Sequence, residues 1–64
     1  MRPAAKRVLR RMGDGHPRAL VEVMRDCGLS TGRASSALRE LRQDGRLEVD
    51  GEGRYRVAGK VGRP

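Results

Sequence analysis

The spacing of apolar residues changes after Gly45, and this change most constrains what the chain can fold into. Before Gly45, apolar residues recur every three to four positions in three separate segments, which is the period of helices buried along one face. After Gly45, apolar and charged residues alternate, which is the period of half-buried strands. The chain is therefore predicted to be an α+β fold, mainly α, with three helices followed by a two-stranded β-hairpin.

Two breaks separate the three helical segments. The first helix is predicted from Pro3 to Met12, and the glycines and proline of residues 13–17 interrupt the pattern after it. Pro17 suits the first position of the second helix, because a helix needs no amide hydrogen there. The second helix is predicted to end before Gly28, where a left-handed cap is expected.

The third helix is predicted over residues 30–44, and a hairpin follows it. Ser30 is a suitable N-cap, because its hydroxyl can accept a hydrogen bond from an amide of the first turn. The two strands are predicted around residues 46–49 and 54–57, and the small residues 50–53 supply the loop between them. The buried face of the third helix is predicted to consist of Ala34, Ala37, Leu38 and Leu41.

Length and charge limit the partners that such a chain can bind. Its 64 residues make one domain, predicted over residues 1–58 with a flexible basic tail at 59–64, and without Phe or Trp its core must be small. A deep pocket for a small molecule is therefore not expected. Lys and Arg number 15 against 8 acidic residues, for a net charge of +7. This balance favours a polyanion as the partner.

Three segments resemble a known family. They are residues 23–30 (VMRDCGLS), 33–41 (RASSALREL) and 44–47 (DGRL). In this order they are similar to the helix-turn-helix and the start of the wing in bacterial winged helix-turn-helix proteins, and the likeness covers roughly residues 5–57. The resemblance implies a winged helix-turn-helix fold whose recognition helix, residues 30–44, binds the major groove of double-stranded DNA.

The face of the third helix opposite its apolar stripe combines small residues with arginines. Small side chains let the helix backbone approach base edges, and arginine reaches guanine or phosphate. The start of the helix favours phosphate, and the wing, residues 46–57, is predicted to be basic and to present two arginines to the DNA. The predicted DNA-binding residues are Ser30, Thr31, Gly32, Arg33, Ser35, Ser36, Arg39, Arg54 and Arg56.

Other interpretations of the same residues remain open. The arginines of the third helix could form a solvated face paired with Glu40 and Asp44, and Arg54 or Arg56 could pair with Glu48 across the hairpin. The module could belong to a transcriptional regulator or to a larger protein, such as a hexameric DNA translocase of plasmids or chromosomes. It could also bind a protein instead of DNA, whereas RNA binding is disfavoured by the lack of aromatic stacking platforms.

The sequence gives little support for catalysis or for a bound metal. Cys27 falls on the apolar face of the second helix and is predicted to be a core residue, and His16 is predicted to begin that helix. One Cys and one His do not supply the usual zinc ligands, so we expect no enzyme, metal or cofactor. The chain has no long apolar segment and no secretory signal, which predicts a cytoplasmic protein without membrane insertion.

Overall fold

The computed structural model describes residues 2–58, and within them three helices precede a two-stranded antiparallel sheet. This confirms the predicted α+β, mainly helical fold class. The predicted tail, residues 59–64, lies outside the described residues. The elements are α1 (Pro3–Met12), α2 (Leu20–Cys27), α3 (Thr31–Gln43), β1 (Leu47–Val49) and β2 (Tyr55–Val57).

The core forms where the apolar faces of the three helices meet. The helical spacing predicted these faces, and Leu47 of β1 joins them. Tyr55 and Val57 of β2 are half-buried and pack against this core, so the hairpin closes one side of it. The buried apolar residues are Ala5, Val8, Met12, Val23, Cys27, Ala34, Ala37, Leu38, Leu41 and Leu47.

The turn between α2 and α3 has the caps that the sequence predicts. Gly28 ends α2 with a φ of 66°, a left-handed conformation that suits glycine. The hydroxyl of Ser30 accepts a hydrogen bond from the amide of Arg33 at 3.3 Å, which confirms Ser30 as the N-cap of α3. These two caps fix where α3 begins.

The start of α2 differs from the prediction, because Pro17 does not occupy its first position. The helix begins at Leu20, and the carboxylate of Glu22 accepts a hydrogen bond from the amide of Ala19 at 2.7 Å. Arg18 instead has extended pairing with Tyr55 through two backbone hydrogen bonds of 2.8 Å each. A residue paired in this way cannot also be helical, so the preference of Pro17 is overridden and His16 does not begin the helix.

Arg18 is buried, with 8% of its surface exposed, and its guanidinium is surrounded by acceptors. Two of its nitrogens donate to the two carboxylate oxygens of Asp14, at 2.9 and 2.7 Å, and its Nε donates to Asp26 at 3.1 Å. The carbonyls of Arg11 and His16 accept further hydrogen bonds, at 3.4 and 3.3 Å. One side chain thus joins the end of α1, the loop after it and α2.

The hydrogen bonds between Arg18 and Asp14 shift the pKa values of both side chains. The hydrogen bonds from Arg18, followed by one from the backbone of His16, hold the pKa of Asp14 well below its usual range. In turn, the hydrogen bond to Asp14 raises the pKa of Arg18 above its already high ordinary value. Asp14 therefore stays charged in the folded protein at pH values where the unfolded chain takes up a proton.

We expect the free energy of unfolding to fall as the pH is lowered through about 4, because the unfolded state protonates Asp14 near pKa 3.9 while the folded state resists it. The stabilisation is complete above that value and is lost towards the lower folded pKa. Asp14→Asn should reduce this dependence, measured by urea unfolding at pH 7, 4 and 3. Asp44→Asn is the matched control, and an equal change in both variants would contradict the role of Asp14.

Candidate nucleic-acid interface

One face of α3 lies outward along its whole length. We call this face the ridge. Its four residues lie opposite the buried alanines and leucines of the helix, and all four are exposed. Since α3 is capped at its start and packed along its other side, the ridge is held rigidly by the core. It consists of Gly32, Ser36, Arg39 and Gln43.

Two grooves flank the ridge and are lined by six of the nine predicted site residues, all on α3 or its N-cap. On one side, a cleft of about 550 Å³ separates α3 from β2, and Ser35 and Arg39 line it together with Tyr55. On the other side, a groove of about 680 Å³ runs between the start of α1 and the first turns of α3. This second groove is lined by, among others, Arg2, Pro3, Ser30, Gly32, Arg33 and Ser36.

Thr31, a member of the predicted set, has a side-chain contact inside the protein. Its hydroxyl donates to the sulfur of Met24 at 3.6 Å, so it faces α2. The structure therefore gives the Thr31 hydroxyl a packing role. Its exposed backbone at the start of α3 stays available to a partner.

The arginines of α3 have no acidic partner among residues 2–58. Arg33, Arg39 and Arg42 are all exposed, and none has a carboxylate within 4.0 Å in this part of the chain. The alternative in which they pair with Glu40 and Asp44 is thus not what the described residues adopt. These three guanidinium groups remain able to bind an anion.

The wing differs from the predicted basic element. Residues 46–57 contain three arginines and three acidic residues, so their net charge is zero. Arg56 binds Glu48 at 2.9 Å across the strand register, which is the alternative pairing foreseen from the sequence, and Arg54 lies 3.4 Å from Glu52. Exposed pairs of this kind contribute only about 0–1 kcal/mol, so a phosphate could replace either carboxylate at little cost.

The tip of the wing is built around an acidic side chain. The carboxylate of Asp50 accepts hydrogen bonds from the amides of Glu52 and Arg54, at 2.8 and 3.0 Å. These bonds favour the charged form and lower the pKa of Asp50, the one from Arg54 having the larger effect. Because the tip is negative, the strands of the wing are better placed than its loop to approach an anion.

Two residues that line the cleft beside β2 are absent from the predicted set of DNA-binding residues. Arg42 and Gln43 lie one turn after Arg39 and two turns after Ser35, and all four line the cleft beside Tyr55. The helical period alone could have included them. They were left out because the predicted DNA contacts on this helix all fall within residues 30–39.

Cys27 is a core residue, as predicted. It is 7% exposed, and burial is the main cause that raises the pKa of its thiol. His16 lies exposed in the loop before α2, and its amide donates to Asp14 at 2.9 Å. Across residues 2–58, no three His, Cys, Asp or Glu side chains are grouped to hold a metal ion, and no helix is long and apolar enough to cross a membrane.

No protein-family model, no curated protein and no solved structure matches this chain. The resemblance to winged helix-turn-helix proteins and the DNA contacts that it implies therefore stay predictions.

Burial predicts that Cys27 is protected from alkylation. In the native protein at pH 8, iodoacetamide should modify the thiol at least about tenfold more slowly than in urea, since the buried thiol must first be exposed and ionised. Mass spectrometry of the modified chain measures both rates. Equal rates in the two conditions would contradict the core position of Cys27.

Proposed function

We propose that this protein binds double-stranded DNA, with α3 entering the major groove and the strands of the wing beside the neighbouring backbone. The observation that supports this most directly is the outward face of α3, where Arg33, Arg39 and Arg42 are exposed and have no carboxylate within 4.0 Å among residues 2–58. The B-DNA major groove is about 12 Å wide and admits one helix. A rigid helix with exposed guanidinium groups is the kind of element that such a groove accepts.

Gly32 supports close approach of α3 to a partner. A Cβ atom at this position would meet nothing within 4 Å, so the fold itself does not require glycine there. Glycine inside a helix is also less favourable than alanine by about 0.5–1 kcal/mol. A partner that contacts the helix backbone would explain why the smallest residue stands at this exposed position.

The side chains of the cleft have the chemistry to distinguish bases. Arginine can donate two hydrogen bonds to guanine, and glutamine can form a bidentate pair with adenine. Arg39 and Gln43 lie one turn apart on the ridge, and we assign them to base edges. Arg42, on the flank towards the wing, is assigned to phosphate.

The resemblance of the sequence suggests two settings for such a module. It could serve a transcriptional regulator, or it could be the DNA-reading part of a larger protein such as a hexameric plasmid or chromosome translocase. A palindromic target would favour the first setting and a short asymmetric target the second. Selection of bound sequences from random duplexes separates the two.

A protein-binding role without DNA is less favoured, because the exposed face of α3 bears cations.

Binding should depend on salt and on Arg39. If about five phosphates are contacted, the slope of log affinity against log salt should be about −4 to −5. Arg39→Gln should weaken binding to the selected sequence by about 5- to 150-fold and relax preference at one base pair. Fluorescence anisotropy with labelled duplexes measures both effects.

The matched control is Arg25→Gln on α2, an exposed arginine without an acidic partner among residues 2–58. It should change affinity by less than about twofold, because it lies outside the proposed interface. A salt-independent wild-type affinity, or equal losses in the two variants, would overturn the proposal.

Substitutions of Glu48 and of Arg56 should change the DNA affinity in opposite directions, and this tests whether the wing contacts DNA. Glu48→Gln releases Arg56 and removes a negative charge, so DNA affinity should rise by about two- to fivefold. Arg56→Gln should lower it, and the double variant measures the coupling between the two residues. If neither single variant changes the affinity, the strands of the wing do not contact DNA.

A further inference from the structure

The excess positive charge of the described residues lies in one segment. Residues 13–58 contain eight cationic and eight acidic side chains, so they are balanced. Residues 2–12, which form α1 and its N-cap, contain five cationic side chains and no acidic one. The general attraction of a polyanion to this domain must therefore come mainly from α1, and not from α3 or the wing.

Two of the five cations have partners within the fold. Arg7 donates to the carbonyl of Cys27 at 3.2 Å, and Arg11 lies 3.6 Å from the carboxylate of Asp26. Both bind the end of α2, where the helix dipole favours positive charge. Their role is to hold α1 against α2.

The other three, Arg2, Lys6 and Arg10, form what we call the basic row. They are exposed, and none has a side-chain hydrogen bond or an ion pair with another residue of the 2–58 segment. They are four positions apart, Arg2 as the N-cap and the other two within α1, so they follow one another along the helix at about 6 Å intervals, from the groove beside α3 at Arg2 to the groove beside the end of α2 at Arg10. Phosphates along a nucleic-acid strand form a comparable row of regularly spaced opposite charges.

The basic row is unfavourable for the isolated protein. Like charges four positions apart on a helix repel each other, and α1 has no acidic residue in its first turn to offset its dipole. Glu40 lines the same groove as Arg2, and Asp14 and Asp26 line the same groove as Arg10, but within residues 2–58 no carboxylate lies within 4.0 Å of the three cations. A bound polyanion would supply the missing negative charge.

The first residue of the basic row, Arg2, lies beside the ridge of α3. Arg2 lines the groove that separates α1 from the first turns of α3, opposite Gly32 and Arg33. The wing lies on the other flank of α3, where Tyr55 lines the cleft. A duplex lying on the ridge would therefore have the wing on one side and the start of α1 on the other.

We propose that Arg2, Lys6 and Arg10 bind the phosphate backbone of the same duplex that α3 reads, on the side of α3 away from the wing. This inference rests on the proposed function and adds a second contact surface to it. The contact is independent of base sequence, because lysine and arginine on a backbone interact with phosphate alone. It supplies a large share of the salt-dependent affinity.

The test compares Lys6→Gln/Arg10→Gln with the wild type. Removing two phosphate contacts should reduce the magnitude of the salt slope by about 1.8, and the preferred sequence should stay the same. Hydroxyl-radical footprinting should show the loss of one protected backbone segment flanking the α3 site. Arg10→Gln and Arg25→Gln form a matched single-charge pair: the first should reduce the slope by about 0.9, and the second should leave it unchanged.

Folding of the variants is checked by thermal melting. Neutralising Lys6 and Arg10 removes repulsion between them but also removes the favourable interaction of Arg10 with the C-terminal end of α1, so the melting temperature should change little. The charge-retaining variant Lys6→Arg/Arg10→Lys should keep the wild-type slope and footprint. Loss of binding in that variant would show that charge is not the property that matters and would overturn the inference.

The outcomes separate this inference from the proposed function. If wild-type binding is salt-dependent and sensitive to Arg39→Gln, but the Lys6→Gln/Arg10→Gln variant keeps the full slope and footprint, the inference alone fails. A wild-type protein that does not bind duplex DNA would refute the proposed function itself. If the wild type bridges two differently labelled duplexes and the variant does not, the basic row binds a second duplex, which also overturns the inference.

Discussion

The interactions of Arg18 hold together the parts of the structure on which the rest depends. Its side chain joins α1, the following loop and α2 through Asp14 and Asp26, and its backbone pairs with Tyr55 of β2. An isolated two-stranded hairpin is marginally stable in water, and each strand here has only three residues. The two backbone hydrogen bonds between Arg18 and Tyr55 add a third chain segment beside the two strands. The position of the wing beside α3 thus depends on a residue outside both elements.

A buried charged group suits this particular chain because its core is limited. The ten buried apolar residues include three alanines and no aromatic ring, and a chain of this length leaves much of its surface exposed. The hydrogen bonds of Arg18 hold α1, the loop after it and α2 together without requiring more apolar side chains in the core. Its desolvation cost is moderated because the Asp14 and Asp26 side chains remain 44% and 28% exposed. The guanidinium is buried, while its acceptors keep contact with water.

Sequence reasoning succeeded where local physics determines the outcome. Burial of one helical face sets the apolar period, and Ser30 and Gly28 cap their helices through neighbouring backbone groups, so these features were predicted correctly. Arg18 could not be recognised, because its partners come from three separate segments and its own neighbourhood resembles an ordinary exposed loop. The same tertiary pairing moved the start of α2 from Pro17 to Leu20. The ridge of α3 followed from the period, whereas its two flanking grooves depend on how α1 and β2 pack.

In the proposed complex, one part of the protein supplies general affinity for DNA and another distinguishes between base sequences. A cation that contacts phosphate binds every duplex equally, and therefore adds affinity without adding preference. Residues 30–44 have a net charge of only +1 and the wing of zero, whereas α1 and its N-cap hold the excess positive charge of residues 2–58. The ridge would then contribute chiefly through Arg39 and Gln43, whose hydrogen bonds depend on base identity. Because the attraction supplied by α1 is the same for every duplex, the difference in affinity between a right and a wrong sequence is set by the base-dependent hydrogen bonds of the ridge.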